Sequence, residues 1–328
     1  MPTLKLLDDF QRKNFDAAPR LSEKQRTRYF VIDGEVADYV NNMRDTINQV
    51  GFLIQLAYFR ASGKFFPNEN FRTIDIKYAC RILEIDFDDI AKGMENYSFR
   101  SRSTHKNYIL NHSGWQKYTQ QCVVELHEEL LLHAKQQMRP KDLLPIATNY
   151  FITKKIELPP YYALAEIISN VYNVMEEKLV DIVEKSLSKG RKEVLDDLIW
   201  IEDKRRKAYK YSALSKIKQF CYSTKIKNIE ESIKNYKLLK AFYKEFEPVY
   251  KNLELSEAAT NYYSEWVIKS KLFQLKQFKN RSKAYLYLLA HIKHQYFRQT
   301  DLYVDILLKL ISNSTNAIGN CQESCRLM

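Results

Sequence analysis

Apolar positions three and four residues apart run through most of this chain, and the stretches that interrupt them are short and polar. The first such segment, Leu4 to Phe15, reads as an amphipathic helix closed by the turn FDAAPRLS, where Ser22 and Gln25 have the spacing of a capping box. A helix over Glu23 to Phe30 follows, then a turn at Asp33-Gly34 and a helix over Glu35 to Met43. Thr46 is the expected N-cap of a greasy helix that Gly63 ends, with Pro67 forbidding continuation. Thr73 caps DIKYACRILEI, the acids Asp86, Asp88 and Asp89 open DFDDIAKGM, and Ser103 or Thr104 caps THKNYILNHSGW.

These short helices predict an N-terminal helical domain over residues 1–118 with helix-turn-helix character. A connecting helix is expected over 119–138, with Val123, Val124, Leu126, Leu130 and Leu131 on one side. A second domain of longer helices spans 139–310, restarted at Pro140 and broken at Leu158-Pro159-Pro160. The polar residues 311–328 carry no apolar period and read as a disordered tail. The fold class is therefore all-α, in two helical units.

Composition agrees, since 7 Gly and 8 Pro in 328 residues leave little material for turn-rich β architecture. Charge adds a partner class: 52 Lys and Arg against 40 Asp and Glu give a net +12, which suits a polyanion such as nucleic acid. No apolar run reaches the roughly 18 residues of a membrane span and no signal peptide opens the chain, so the expected location is cytoplasmic, on the nucleoid when DNA is bound. Five scattered cysteines without a C-x-x-C pair read as reduced thiols.

Catalytic chemistry finds no foothold. The adjacent acids Asp88 and Asp89, Asp196 and Asp197, and Glu202 and Asp203 point about 100° apart on a helix and do not share a metal easily. His291 and His294 form at most half a metal site, and phosphate-loop, dinucleotide and hydrolase motifs are absent from the sequence. No catalytic residue, metal site or cofactor is expected.

Two acid-free stretches are more telling. Between Glu95 and Glu125, Arg100, Arg102, Lys106 and Lys117 are interleaved with Tyr97, Phe99, Tyr108, Trp115 and Tyr118, a pattern suited to phosphates and sugars. From Trp266 to Thr300 the cations Lys269, Lys271, Lys276, Lys279, Arg281, Lys283, Lys293 and Arg298 occur without an acid. The alternative is a solvated face whose counter-charges come from other helices.

Several segments in order resemble the N-terminal region of the large replicative transposases of the Tn-three family. They are Arg44, Asn48-Gln49-Val50-Gly51-Phe52, Leu56-Ala57-Tyr58-Phe59-Arg60 and Lys64-Phe65-Phe66, preceded by Phe15 to Phe30. Asp75 to Ile85, Ser103 to Trp115, Lys154 to Ile168 and Tyr285 to Lys309 continue the order, so the resemblance covers roughly residues 10 to 310. Gln49 departs from it, standing where the family commonly has arginine.

The resemblance implies a non-catalytic, DNA-binding front end that recognises the terminal inverted repeats of a transposon as double-stranded DNA. The three-acid RNase H-like domain that cuts and joins strands has no counterpart in this sequence. The expected DNA-facing set is Arg44, Asn48, Gln49, Arg60, Lys64, Arg100, Arg102, His105 and Lys106, with Lys276, Lys279 and Arg281 from the second stretch. Asn48 and Gln49 could read adenine bidentately. The alternative is a helical interaction or regulatory fragment that forms a homodimer or pairs with full-length transposase.

Overall fold

The computed structural model describes residues 4–200, 213–218 and 226–326. Among them the regular structure is helical, apart from an isolated parallel bridge between Gln116 and Ile156. Two compact units result, Met1–Ala134 with Pro140–Tyr172, and Lys135–Arg139 with Asn173–Met328.

The first unit holds α1 (Asp9–Asp16), α2 (Glu23–Tyr29), α3 (Gly34–Asn41), α4 (Thr46–Ser62), α5 (Thr73–Ile82), α6 (Phe87–Ala91), α7 (Phe99–His112), α8 (Gln120–Ala134), α9 (Leu143–Thr153) and the start of α10 (Tyr161–Ser186). Its axis is α4, buried without a break from Val50 to Phe59. A helix apolar on all sides needs cover on all sides. One face packs with Phe66, Phe71, Ile76, Ala79 and Tyr97, the other with Val36, Val40, Ile109 and Leu110. Gly51 allows the closest of these contacts, because a Cβ there would lie 2.8 Å from the Tyr97 ring.

Burial inside this core is partly polar. Asp75, fully buried, accepts from Arg26 Nε at 2.6 Å and from the Tyr58 hydroxyl at 2.7 Å, joining α2, α4 and α5. Tyr58 in turn accepts from the Arg72 amide at 3.1 Å, and burial of the phenol raises its pKa well above the ordinary tyrosine range. Asp75, Arg26 and Tyr58 thereby satisfy one another in the core.

Local signals held at Ser22 with Gln25 and at Gly63, which adopts φ 68°. Elsewhere the caps moved. The first helix starts at Asp9 rather than Leu4, because the amides of Leu4, Leu6 and Leu7 bond instead to Ser169 Oγ and the Tyr161 hydroxyl. Asp45 rather than Thr46 caps α4, and Thr73 is the first residue of α5 rather than its cap. Ser98, not Ser103 or Thr104, caps α7, so Phe99, Arg100 and Arg102 lie on the helix.

The segment expected to connect two domains, 119–138, contains α8, which packs on α9 inside the first unit. The apolar side of α8 (Leu126, Leu130, Ala134) is buried there.

The second unit contains the remainder of α10, α11 (Lys189–Trp200), α12 (Ala213–Lys218), α13 (Ile226–Leu253), α14 (Glu257–Lys269), α15 (Leu272–Lys276) and α16 (Arg281–Arg326). Both α13 and α14 pack along α16, whose residues Ala284 to Ile292 are buried in succession. Residues 311–328, expected to be disordered, are helical as far as Arg326. The hydroxyls of Ser314 and Thr315 donate to the carbonyls of Leu310 and Ile311 one turn back, which lets small polar residues sit in an exposed helix.

Candidate nucleic-acid interface

The structure sorts the expected DNA-facing residues into those absorbed by the fold and those left on its surface. Lys64 is absorbed: its ammonium donates to the Phe15 carbonyl at 2.6 Å, stands 3.4 Å above the Phe15 ring and 3.6 Å from Asp16. Burial brings its pKa down to about 8. Arg60 donates to the carbonyls of Tyr29 and Val31 and lies 3.6 Å from Asp33, fixing the link between α2 and α3. His105 is buried, hydrogen-bonded through Nδ1 to the Tyr97 hydroxyl at 2.8 Å and enclosed by Tyr39 and Phe52. Gln49 donates to the carbonyls of Val40 and Met43, both at 3.1 Å, and so satisfies the end of α3. Asn48 donates to the capping carboxylate of Asp45.

These side chains hold the first unit together, and Lys64 and His105 have no face to offer a duplex. Arg44 is exposed just ahead of α4.

The first acid-free stretch is different. Arg100 and Lys117 are exposed, and Arg102, Lys106 and Lys117 border one groove of about 350 Å³ with Phe65, Phe99 and Asn107. Its rim is braced from beneath. Arg102 donates to Asn68 Oδ1 at 2.8 Å, with its guanidinium 6.0 Å from the Phe99 ring. Lys106 forms an ion pair with Glu157 and sits 5.3 Å from the Phe65 ring. The Gln55 carboxamide forms the floor, bonded both ways to the backbone of Phe66.

The second stretch lies in the second unit, and much of its charge is met there. Lys283 pairs with Glu176, Lys269 with Glu265 at 3.2 Å, and Lys293 donates to the Leu255 carbonyl. Arg281 stands 3.5 Å from Asp196, while Lys276 and Lys279 are exposed. Glu265 is one turn before Lys269 on α14, but Glu176 and Asp196 come from α10 and α11, which the linear sequence could not bring alongside.

Sequence reading overlooked a second basic depression of about 390 Å³ between α2 and α5, lined by Glu23, Arg26, Ile74, Lys77, Tyr78 and Arg81. The available signal was Lys77 and Arg81, one turn apart on α5 beside an exposed Ile74. Among the described residues no group of three or more His, Cys, Asp or Glu side chains is placed to hold a metal ion. No described helix is long and apolar enough to cross a membrane.

The family model described as a domain of unknown function, DUF4158, matches residues 6–171, just over half of the 328-residue chain. The chain belongs to the DUF4158 family. The matched stretch contains α1 to α9 and the first part of α10, and with them the groove bordered by Arg102, Lys106 and Lys117. The DUF4158 match and the first compact unit end at adjacent positions, 171 and Tyr172. Comparison with curated proteins gives no match.

Proposed function

We propose that the chain is a non-catalytic, DNA-binding part of a DNA transposase, which recognises the terminal inverted repeats of a transposon. The observation that supports this reading most is the surface built by the first acid-free stretch, where Arg100 is exposed on α7 and Arg102, Lys106 and Lys117 border one groove. The net charge of +12 and the resemblance of the ordered segments to Tn-three family transposases point the same way. Arg100 and Lys117 serve as phosphate contacts in this reading, while braced Arg102 and Lys106 set the register of the duplex.

The test is a titration of labelled duplexes, one carrying a terminal repeat and one scrambled, over a range of salt. Affinity for the repeat should exceed that for the scrambled duplex and fall linearly with salt on logarithmic axes. Arg100→Ala and Lys117→Ala should each reduce that slope by about 0.9. Equal affinity for both duplexes, or slopes untouched by both substitutions, would count against the reading.

A second reading, that the chain also pairs with another copy of itself or with full-length transposase, draws support from α16. Phe297, Val304 and Ile311 recur at seven-residue spacing on its exposed side, joined by Leu307 and Leu308. An antiparallel partner centred on Val304 would set Phe297 against Ile311. Sedimentation should then reveal a dimer that Leu308→Glu converts to a monomer. Sedimentation of the parent chain as a monomer at all concentrations would exclude it.

A further inference from the structure

The groove beside α7 differs from a surface that merely meets phosphates. A duplex is read by elements that protrude into its grooves, and its own exterior is charged and hydrophilic. Here the basic residues surround a depression of about 350 Å³, comparable to one nucleotide in bulk, and its walls include aromatic rings. Phe99 is 79% exposed, the first residue of α7 and beside the cleft. A lone exposed aromatic is ordinary on a protein surface; what sets Phe99 apart is that it lines a cleft together with Phe65, Arg102, Lys106 and Lys117, an aromatic ring among cations.

From these features we infer that the groove receives a single unpaired nucleotide of a DNA strand, with its base stacked on Phe99. This rests on the DNA-binding reading and goes past it, since paired duplex alone would leave the cleft unused. The chemistry of the lining matches each part of the ligand. Phe99 offers a π-face to a base, and its ring is held near the Arg102 guanidinium, 6.0 Å away. Exposed Asn107 and Ser103 supply amide and hydroxyl groups for the base edge. Exposed Lys117 and the Arg102 and Lys106 side chains supply positive charge for the flanking phosphates, and no acid lines the cleft.

The braces fix the shape beforehand. Glu157 holds Lys106, Asn68 holds Arg102, and Phe66 holds Gln55, so little ordering is left for the ligand to impose. Glu157, the acid paired with Lys106, is buried and does not line the cleft.

The experiment uses the full chain and three probes: a fluorescein-labelled duplex, the same duplex with one extrahelical thymidine, and free thymidine monophosphate as competitor. The extrahelical thymidine should improve affinity about tenfold, within the range for stacking one base on an aromatic side chain. Phe99→Ala should bring the ratio of the two affinities close to one, and Phe99→Trp should restore it. At an exposed position neither change threatens folding, which a thermal melt verifies.

Equal affinity for both duplexes in the parent chain would overturn the inference while leaving the duplex-binding reading intact. So would a Phe99→Ala variant that keeps the tenfold ratio. Free thymidine monophosphate competing as strongly as the extrahelical duplex would also overturn it, assigning the cleft to free nucleotides. Failure to bind either duplex would remove the DNA-binding reading and this inference together.

Discussion

Replacing Asp75 with alanine should lower the unfolding free energy of the first unit by about 3–5 kcal/mol, the range for removing one partner of a buried ion pair. The size follows from what stays behind. Arg26 is 9% exposed, and without Asp75 its guanidinium would be held in the core with no anion at Nε. The Tyr58 hydroxyl would lose its acceptor as well, at about 1 kcal/mol for the neutral hydrogen bond. Asp75→Asn keeps an oxygen for Tyr58 and should cost less than alanine, whereas Tyr58→Phe should cost least. Urea unfolding followed by circular dichroism gives all three values. A loss below about 1 kcal/mol for Asp75→Ala would mean that the three helices are joined by apolar packing alone.

Acidification is expected to weaken both units through buried imidazoles. Burial lowers the pKa of His105 to about 4. That of His291 falls to about 3, mainly through burial, with smaller repulsions from Lys218 and His294. In the unfolded chain either ring titrates near 6.5. Below that pH the unfolded state gains a proton that the native state refuses, so stability is complete above about 6.5 and declines as pH drops toward each folded pKa. Each ring costs about 1.4 kcal/mol per pH unit inside its window, hence about 2 kcal/mol between pH 6.5 and pH 5. His105→Asn should flatten that decline for the first unit and His291→Asn for the second, compared by urea midpoints at pH 7 and pH 5. A parent chain with equal midpoints at both pH values would show that neither ring is held neutral.

The fold class and the order of helices could be read from apolar spacing because α3, α4, α5 and α7 each bury an apolar stripe in the two clusters around α4, and α8 buries Leu126, Leu130 and Ala134, whereas α1 buries none of its residues. Caps were legible at Ser22 and Gly63, whereas Thr73, the single candidate for its helix, became the first residue of α5 with Arg72 ahead of it. At the start of α4 the Asp45 carboxylate, which accepts from the Ile47 amide, took the role expected of Thr46. Thr104, a plausible cap by residue type, instead donates to the Arg100 carbonyl inside α7.

The site was legible in outline only. Arg100, Lys106 and Lys117 were picked out by the absence of neighbouring acids, a property of the sequence itself. Lys64, Arg60 and His105 look identical to surface cations and imidazoles in one dimension, since what buries them comes from elsewhere. The Lys64 partner is the Phe15 carbonyl, 49 residues away, and those of Arg60 lie 31 and 29 residues away. The groove is not visible in one dimension because Phe65 and Phe66 belong to the loop after α4, whereas Phe99, Asn107 and Lys117 belong to α7 and the turn beyond it.

That turn is stitched to a distant piece of chain. Gln116 donates to the Lys155 carbonyl and accepts from the Glu157 amide, and Leu158 donates to the Gly63 carbonyl behind α4. Residues 155–158 therefore act as a clasp that closes the groove from outside the segment that forms it, and Glu157 is the tooth that seats Lys106. A cut at residue 118 would separate the clasp from what it fastens. If this surface has been exchanged between proteins as a cassette, the piece that travels must reach at least Leu158, and insertions between α8 and α9 are tolerated only while they return the chain to that clasp.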